Sequence, residues 1–143
     1  MADSSMRNIL LHGAPDEAFD SSVLFARRMA ESFGARLHVL YTIEDPLSAG
    51  WTAEVSADRL PEVQQAMEAE ARERLSRLIS FDDQERLGVE IALTTGSAAD
   101  ELVRYTLDND IDLAIVQATK GDRDTDYAHA LLERGRCAVL VLR

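Results

Sequence analysis

The sequence is poor in cysteine, in basic residues and in long apolar runs, and each shortage excludes a class of protein. With the single cysteine Cys137 it cannot form an intrachain disulfide, so we expect a reducing compartment. Its 15 basic residues face 26 acidic ones, and the net charge of −11 argues against binding to nucleic acid or to an anionic membrane. No apolar stretch approaches the length of a membrane-spanning helix. These shortages predict a cytoplasmic protein with neither a nucleic-acid nor a membrane partner.

What the sequence does contain is enough material for one folded domain. A chain of 143 residues, 46% of them hydrophobic, can bury a core without disulfides or metals. The opening "MADSS" has no secretory signal pattern. We therefore predict a disordered tail over residues 1–6 and a single domain over residues 7–143.

Short apolar runs alternate with helical patterns along the chain. Five runs are typical of buried strands, at residues 8–13, 35–43, 88–96, 112–118 and 138–143. Apolar residues at helical spacing occupy the intervals 23–33, 61–80, 97–110 and 126–135. This alternation predicts a doubly wound, Rossmann-like α/β fold with five parallel strands in the order 3-2-1-4-5 and helices on both faces.

The strand order also predicts where a ligand would bind. In such a sheet the ligand lies beyond the carboxyl ends of the strands, at the point where the strand order reverses. Here that point falls between the first and fourth strands, where the loops 12–17 and 117–126 meet. The second loop, "QATKGDRDTD", has one glycine and three aspartates, unlike the glycine-rich loops that hold phosphates.

No arrangement of nucleophilic or acid–base residues predicts an enzyme. His12 ends the first strand, where it is either a ligand contact or general base, or a hydrogen-bonded structural histidine. His38 and His129 have no partners at metal-ligand spacing, which argues against a zinc site. Ser21 and Ser22 fall in the first helix, where we interpret them as surface serines.

Four further residues have both a chemical and a structural interpretation. Asp16 and Glu17 could serve acid–base chemistry, but acids in the first turn of a helix usually interact with its dipole. Trp51 lies in a long polar loop and either covers a pocket or packs on the sheet. Cys137 precedes the last strand, where a small buried residue is expected more often than a nucleophile.

Taken together, the segments resemble the universal stress protein family. The resemblance rests on "ILLHGAPDEAFDSSVLFARRMAESFGARLHVLYTIEDP", on "TTGSAADELVRYTLDNDIDLAIVQAT" and on the closing "CAVLVLR", in that order and spacing. It implies a five-stranded sheet of the adenine nucleotide alpha hydrolase type and a homodimer formed along the last strand. It also implies a role in survival under stress and, in many members, a bound ATP or other adenine nucleotide.

The chain departs from the nucleotide motif of that family. ATP-binding members carry an aspartate just past the first strand and G-x2-G-x9-G-[ST] after the fourth. Here Ala14 takes the place of the aspartate, Ala118 that of the first glycine, and only Gly121 is retained. Thr125 and Asp126 stand at the final pair, and only three residues separate Thr125 from Gly121 where the motif has nine.

These departures should weaken binding to a polyphosphate. Asp122, Asp124 and Asp126 would lie near the phosphates, and a carboxylate 5 Å from one phosphate charge is repelled by roughly 3 kcal/mol at an effective dielectric of 20. Lys120 and Arg123 offset part of this repulsion. We therefore predict a stress-response protein that acts through protein contacts, without enzymatic activity and without a cofactor. The alternative is an adenine-nucleotide switch or slow ATPase that binds ATP or AMP with Mg²⁺.

Two sets of site residues follow from this interpretation. The candidate crevice comprises Gly13, Ala14, Thr42, Gln117, Ala118, Gly121, Thr125 and Asp126. The last strand is apolar and is expected at the edge of the sheet, where an open edge invites pairing with another chain. A two-fold dimer would cover that edge. The predicted dimer interface comprises Ala138, Val139, Leu140, Val141 and Leu142.

Overall fold

The computed structural model of the protein describes residues 6–13, 18–41, 60–90, 98–118 and 127–143. Four strands lie in these ranges: β1 (Asn8–Gly13), β2 (Arg36–Tyr41), β3 (Leu113–Gln117) and β4 (Ala138–Leu142). Five helices accompany them: α1 (Phe19–Phe33), α2 (Leu60–Leu78), α3 (Phe81–Leu87), α4 (Ala98–Asp108) and α5 (Tyr127–Arg134). No helix in the described ranges is both long and apolar enough to cross a membrane.

The strands form one parallel sheet in the order β2-β1-β3-β4. The prediction of a parallel α/β sheet is confirmed, but the described sheet has four strands and not five. Of the expected third strand, Gly88–Glu90 are not in strand conformation and residues 91–96 lie outside the described ranges. The four strands keep the relative order that the five-strand prediction gave them, so β1 and β3 are the central pair at which the order reverses.

Alternating side chains of the strands build one core on each face of the sheet. On one face α1, α2 and α3 pack against residues such as Leu11, Leu37 and Ile115. On the other face α4 and α5 pack against Leu10 and Ala114. Because successive side chains in a strand point to opposite faces, continuous apolar runs such as "ILL" are what a sheet covered on both faces requires.

The helix ends follow local signals in the sequence. Gly34 ends α1 with a φ of 64°, since a left-handed residue there favours glycine. The helix expected over 61–80 ends earlier, at Leu78, and a second helix, α3, follows it. Ser80 caps the start of α3, where its hydroxyl accepts a hydrogen bond from the backbone N–H of Asp83.

Candidate functional site

The central strands separate at their carboxyl ends. The pairing of β1 with β3 stops at Leu11 and Ile115, whereas β1 follows β2 as far as Gly13. The pairing of β3 with β4 likewise continues to Gln117. A crevice therefore lies between the last residues of β1 and of β3, at the place the strand order predicts for a ligand.

The wall of this crevice on the α1 face is formed by Phe19. A Cβ atom placed on Gly13 would lie 2.6 Å from Phe19 Cδ1, so the ring is packed directly against the glycine. Phe19 is 1% exposed and makes an edge-to-face contact with Tyr41, their ring centroids 4.7 Å apart. The guanidinium of Arg74 lies 5.6 Å from the Phe19 centroid and bonds to Asp20. Only a glycine at the end of β1 permits this close approach.

A side-chain contact joins the end of β3 to α1 on the same face. The amide nitrogen of Gln117 donates to the hydroxyl of Ser22, which in turn donates to the carbonyl of Ala18 at 2.9 Å. Ser22 is buried, so the interpretation of this residue as a surface serine is wrong. Because its hydroxyl is engaged on both sides, Ser22 links the crevice to the first turn of α1 and positions the Gln117 side chain.

His12 occupies the other face of the crevice, where α5 begins. Its ring packs against that of Tyr127, with centroids 4.3 Å apart and a 58° angle between the planes. The side chain is buried, and desolvation lowers the pKa of His12 to about 4 because the charged form would lose its water. At neutral pH His12 is therefore uncharged and supplies no positive charge to a phosphate.

These contacts decide what the crevice can do chemically. Phe19, the Gln117–Ser22 pair and the His12–Tyr127 pair bring three sets of packed side chains to the ends of β1 and β3. Rings and a paired amide therefore cover the described ends of β1 and β3. A small cavity of about 300 Å³ lies beside it, between α1 and the end of β4, at the lower limit for pockets that bind small molecules. Ser21, Phe25 and Arg143 are among the residues that line this cavity.

Part of the predicted site lies in the described ranges. Gly13 ends β1, Gln117 ends β3 and Ala118 follows it, so the structure brings these three to the crevice. The remaining crevice residues lie outside the described ranges: Ala14, Thr42, Gly121, Thr125 and Asp126. Asp16, Glu17 and Trp51 lie outside them as well. The predicted interface residues Ala138–Leu142 form β4, which stands at the edge of the described sheet.

Sequence reasoning missed Phe19 and Tyr127 and assigned Ser22 wrongly to the surface. A signal for Phe19 and Ser22 exists, because the buried residues of α1 are spaced by three or four positions, at Phe19, Ser22, Val23, Ala26 and Ala30. Extending the apolar pattern back from Val23 reaches Ser22 and Phe19. Tyr127 has no such signal, since its contact with His12 depends on where α5 meets the sheet. Among the described residues, no group of three or more His, Cys, Asp or Glu could hold a metal ion.

Comparison with known proteins agrees with this architecture along nearly the whole chain. No curated protein matches the sequence. The structure is similar to universal stress protein UspA from Lactobacillus plantarum, with a TM-score of 0.69, 18% identity and coverage of 99% of this chain and 100% of that one. A protein of the universal stress protein family from Burkholderia pseudomallei gives a TM-score of 0.67 at 20% identity and covers 97% of each chain.

A third similar structure is described with a ligand. It is the universal stress protein from Archaeoglobus fulgidus in complex with dAMP, with a TM-score of 0.57, 15% identity and coverage of 96% of this chain and 98% of that one. At such identities these likenesses show the fold alone. The family itself is shown by sequence, because the model of the Universal stress protein family matches residues 6–143. By that match the chain belongs to the universal stress protein family.

Proposed function

We propose that this chain acts in the stress response as a homodimer that works through protein contacts and does not bind ATP. The observation that carries the proposal is the packing of the crevice, where Phe19 lies against Gly13 and His12 packs on Tyr127. A nucleotide entering between β1 and β3 would have to displace buried rings. It would also meet an uncharged imidazole where a phosphate needs a cation.

The sequence of the following loop supports the same conclusion. Its three aspartates would repel a polyphosphate, and its single glycine limits how closely backbone N–H groups can approach the phosphate oxygens. Each charge of the ligand adds to this repulsion, so a triphosphate is disfavoured more strongly than a monophosphate. In this proposal the edge of β4 is the surface that pairs with a second copy of the chain.

An adenine mononucleotide is the second candidate, and one observation favours it. The Archaeoglobus fulgidus relative is described in complex with dAMP, a ligand with a single phosphate. A monophosphate meets less repulsion from the loop. Mg²⁺ held by an aspartate would reduce that repulsion further. In this alternative the protein is a switch that responds to AMP-type nucleotides.

Thermal unfolding with ATP, ADP and AMP, each with and without Mg²⁺, distinguishes the two candidates. A ligand at one hundred times its Kd stabilises a protein by about 2.7 kcal/mol, which raises the Tm by several degrees. We expect no rise in Tm with ATP. A rise with ATP would overturn the proposal, and a rise with AMP alone would favour the mononucleotide switch.

Two matched variants test why ATP is excluded. The first carries Asp122→Asn, Asp124→Asn and Asp126→Asn, and the second neutralises the exposed acids Asp82, Glu85 and Asp108 to their amides. Both change the net charge equally. If the packed side chains exclude ATP, neither variant gains an ATP-dependent rise in Tm. A rise in the first variant alone would show that the loop charge is the barrier.

A further inference from the structure

A chain of polar side chains runs from the buried ring of His38 to the surface. Nε2 of His38 lies 3.2 Å from the side-chain oxygen of Asn8, and Nδ1 lies 2.7 Å from the hydroxyl of Tyr105. The same hydroxyl lies 3.3 Å from a carboxylate oxygen of Glu90, which is exposed. Because His38 is only 8% exposed, its ring nitrogens depend on these protein partners for their hydrogen bonds.

Asn8 determines which ring nitrogen carries a hydrogen. Its Nδ2 donates to the carbonyl of Asp110 at 3.4 Å, which leaves its Oδ1 facing the ring of His38. An amide oxygen only accepts hydrogen bonds, so Nε2 of His38 must carry a hydrogen. In the uncharged ring the other nitrogen, Nδ1, is then an acceptor, and it needs a donor from Tyr105.

The hydroxyl of Tyr105 has one hydrogen and, while His38 is uncharged, two acceptors within reach. Glu90 is exposed and can be hydrated by solvent, whereas Nδ1 of the buried ring would be left without a hydrogen bond. An unpaired acceptor costs more free energy in the core than at the surface. The uncharged ring of His38 therefore takes the hydrogen of Tyr105, and Glu90 is left to solvent.

A charged ring reverses this arrangement. When His38 takes up a proton from solvent, Nδ1–H becomes a donor and the oxygen of Tyr105 accepts from it. Tyr105 keeps its own hydrogen, which is then free to bond to Glu90. Burial raises the pKa of Tyr105, so its hydroxyl remains protonated in both states. All three contacts are made at once only in the charged state, so one proton decides whether Tyr105 bonds to Glu90.

The surroundings of His38 decide at what pH the ring becomes charged. Burial lowers the pKa of His38, Arg36 at the start of β2 lowers it further, and Glu90 opposes them. The other two partners in this network, Asn8 from β1 and Tyr105 from α4, are uncharged. The ring is therefore uncharged at neutral pH and takes up its proton in acid, below the ordinary histidine value of 6.5.

Glu90 and Tyr105 belong to different parts of the chain. Glu90 lies in the segment that follows α3, and Tyr105 is on α4, so a bond between them joins that segment to α4. We propose that His38, Tyr105 and Glu90 form an acid-sensitive switch, in which protonation of His38 turns the Tyr105 hydroxyl to Glu90 and fastens the segment after α3 to α4. At neutral pH that connection is released. The switch does not depend on the function proposed above.

NMR titration of the wild-type protein tests the switch. At neutral pH, nitrogen spectra should show the hydrogen of His38 on Nε2 and should show Nδ1 as an acceptor. As the pH falls, the ring signals should give a midpoint, and the backbone amides of Val89 and Glu90 should shift with that same midpoint. A hydrogen on Nδ1 alone at neutral pH would overturn the switch. So would a ring that stays uncharged until acid unfolds the protein, or amides that do not respond.

A double-mutant cycle shows whether the hydroxyl of Tyr105 transmits the effect. Glu90→Gln removes the carboxylate and should move the midpoint of His38 to lower pH, because the charged state loses its partner. In a Tyr105→Phe background the same substitution should move the midpoint much less, since no hydroxyl connects the two groups. Equal shifts in the two backgrounds would show that Glu90 acts on His38 by charge alone, and the switch would be wrong.

Glu133→Gln supplies the matched control for this cycle. It makes the same change of charge on α5, where Glu133 lies 3.1 Å from Nε2 of His129. We expect it to leave the midpoint of His38 unchanged in both backgrounds. If Glu133→Gln moved that midpoint as far as Glu90→Gln does, the net charge of the protein would explain both shifts and the switch would be overturned.

Discussion

Two buried histidines, each beside a tyrosine, stand in two different regions of the sheet. At the crevice, His12 packs its ring on that of Tyr127, 4.3 Å between centroids. On β2, His38 directs Nδ1 to the hydroxyl of Tyr105 at 2.7 Å and Nε2 to the side-chain oxygen of Asn8 at 3.2 Å. Both imidazoles lie on the face of the sheet that α4 and α5 cover, so the difference between them is one of contacts.

The difference shows two ways of placing a titratable ring in a core. For His12, burial alone lowers the pKa, to about 4, and the ring serves as a packing element of the crevice. For His38, burial and the nearby Arg36 lower the pKa while Glu90 opposes them. The hydroxyl of Tyr105 donates to Glu90 at 3.3 Å, so a polar chain runs from the buried ring toward the surface. The side chains of the crevice are held by the close packing of rings, whereas those around His38 are held by hydrogen bonds.

The largest effect should come from removing the ring that closes the crevice on its α1 face. Phe19→Ala deletes a fully buried phenyl group packed on Gly13 and Tyr41, and such truncations lower the free energy of unfolding by about 3–5 kcal/mol. Urea unfolding measures the loss. The matched control is Phe81→Ala, because Phe81 is 70% exposed and should change stability by less than about 1 kcal/mol. Equal losses in the two variants would show that Phe19 does not close the crevice.

Lowering the pH should destabilise the protein through His12, because this side chain is neutral in the folded state and becomes charged more readily when the chain unfolds. Its folded pKa is about 4 and its unfolded value 6.5, so the stability it provides is complete above pH 6.5 and is lost as the pH falls toward 4. The loss amounts to about 3 kcal/mol. Urea unfolding at several pH values should show this decrease in the wild type and a flatter profile in His12→Asn.

His129 supplies the control for that experiment. Its side chain is 64% exposed on α5, and its Nε2 lies 3.1 Å from a carboxylate oxygen of Glu133. His129→Asn should therefore retain the steep acid profile of the wild type. If His129→Asn flattened the profile and His12→Asn did not, the assignment of acid sensitivity to the crevice would be wrong.

The fold was largely readable from the sequence because its signals are local and repeated. Apolar runs ended by turns predicted the regions of β1, β2, β3 and β4, and their alternation with helices predicted a parallel sheet. Helix α3 was missed because its seven residues contain only two apolar side chains, Phe81 and Leu87, which are too few to show helical periodicity. The Ser80 cap that separates them is a short-range signal that apolar periodicity does not detect.

The sequence predicted where the site lies but not which side chains form it. Strand order alone predicted the crevice between β1 and β3, because topology decides where parallel strands diverge. Which side chains enter that crevice depends on how α1 and α5 pack on the sheet. The contact of Phe19 with Gly13 and that of Tyr127 with His12 each join residues through such packing. No spacing along the chain encodes these distances.

The smallest of the three effects should come from the polar region around His38. Tyr105→Phe keeps the ring but removes the hydroxyl that pairs with His38 Nδ1 and with Glu90, leaving a buried nitrogen without that hydrogen bond. Such deletions cost about 1–2 kcal/mol of unfolding free energy at neutral pH. Glu90→Gln is the matched variant, because it keeps an acceptor for the hydroxyl and should cost less. It should also lower the pKa of His38 further, since Glu90 raises that pKa, and NMR titration measures the change. If Tyr105→Phe were neutral while Phe19→Ala remained costly, both histidine regions would depend on packing alone, and the contrast between them would disappear.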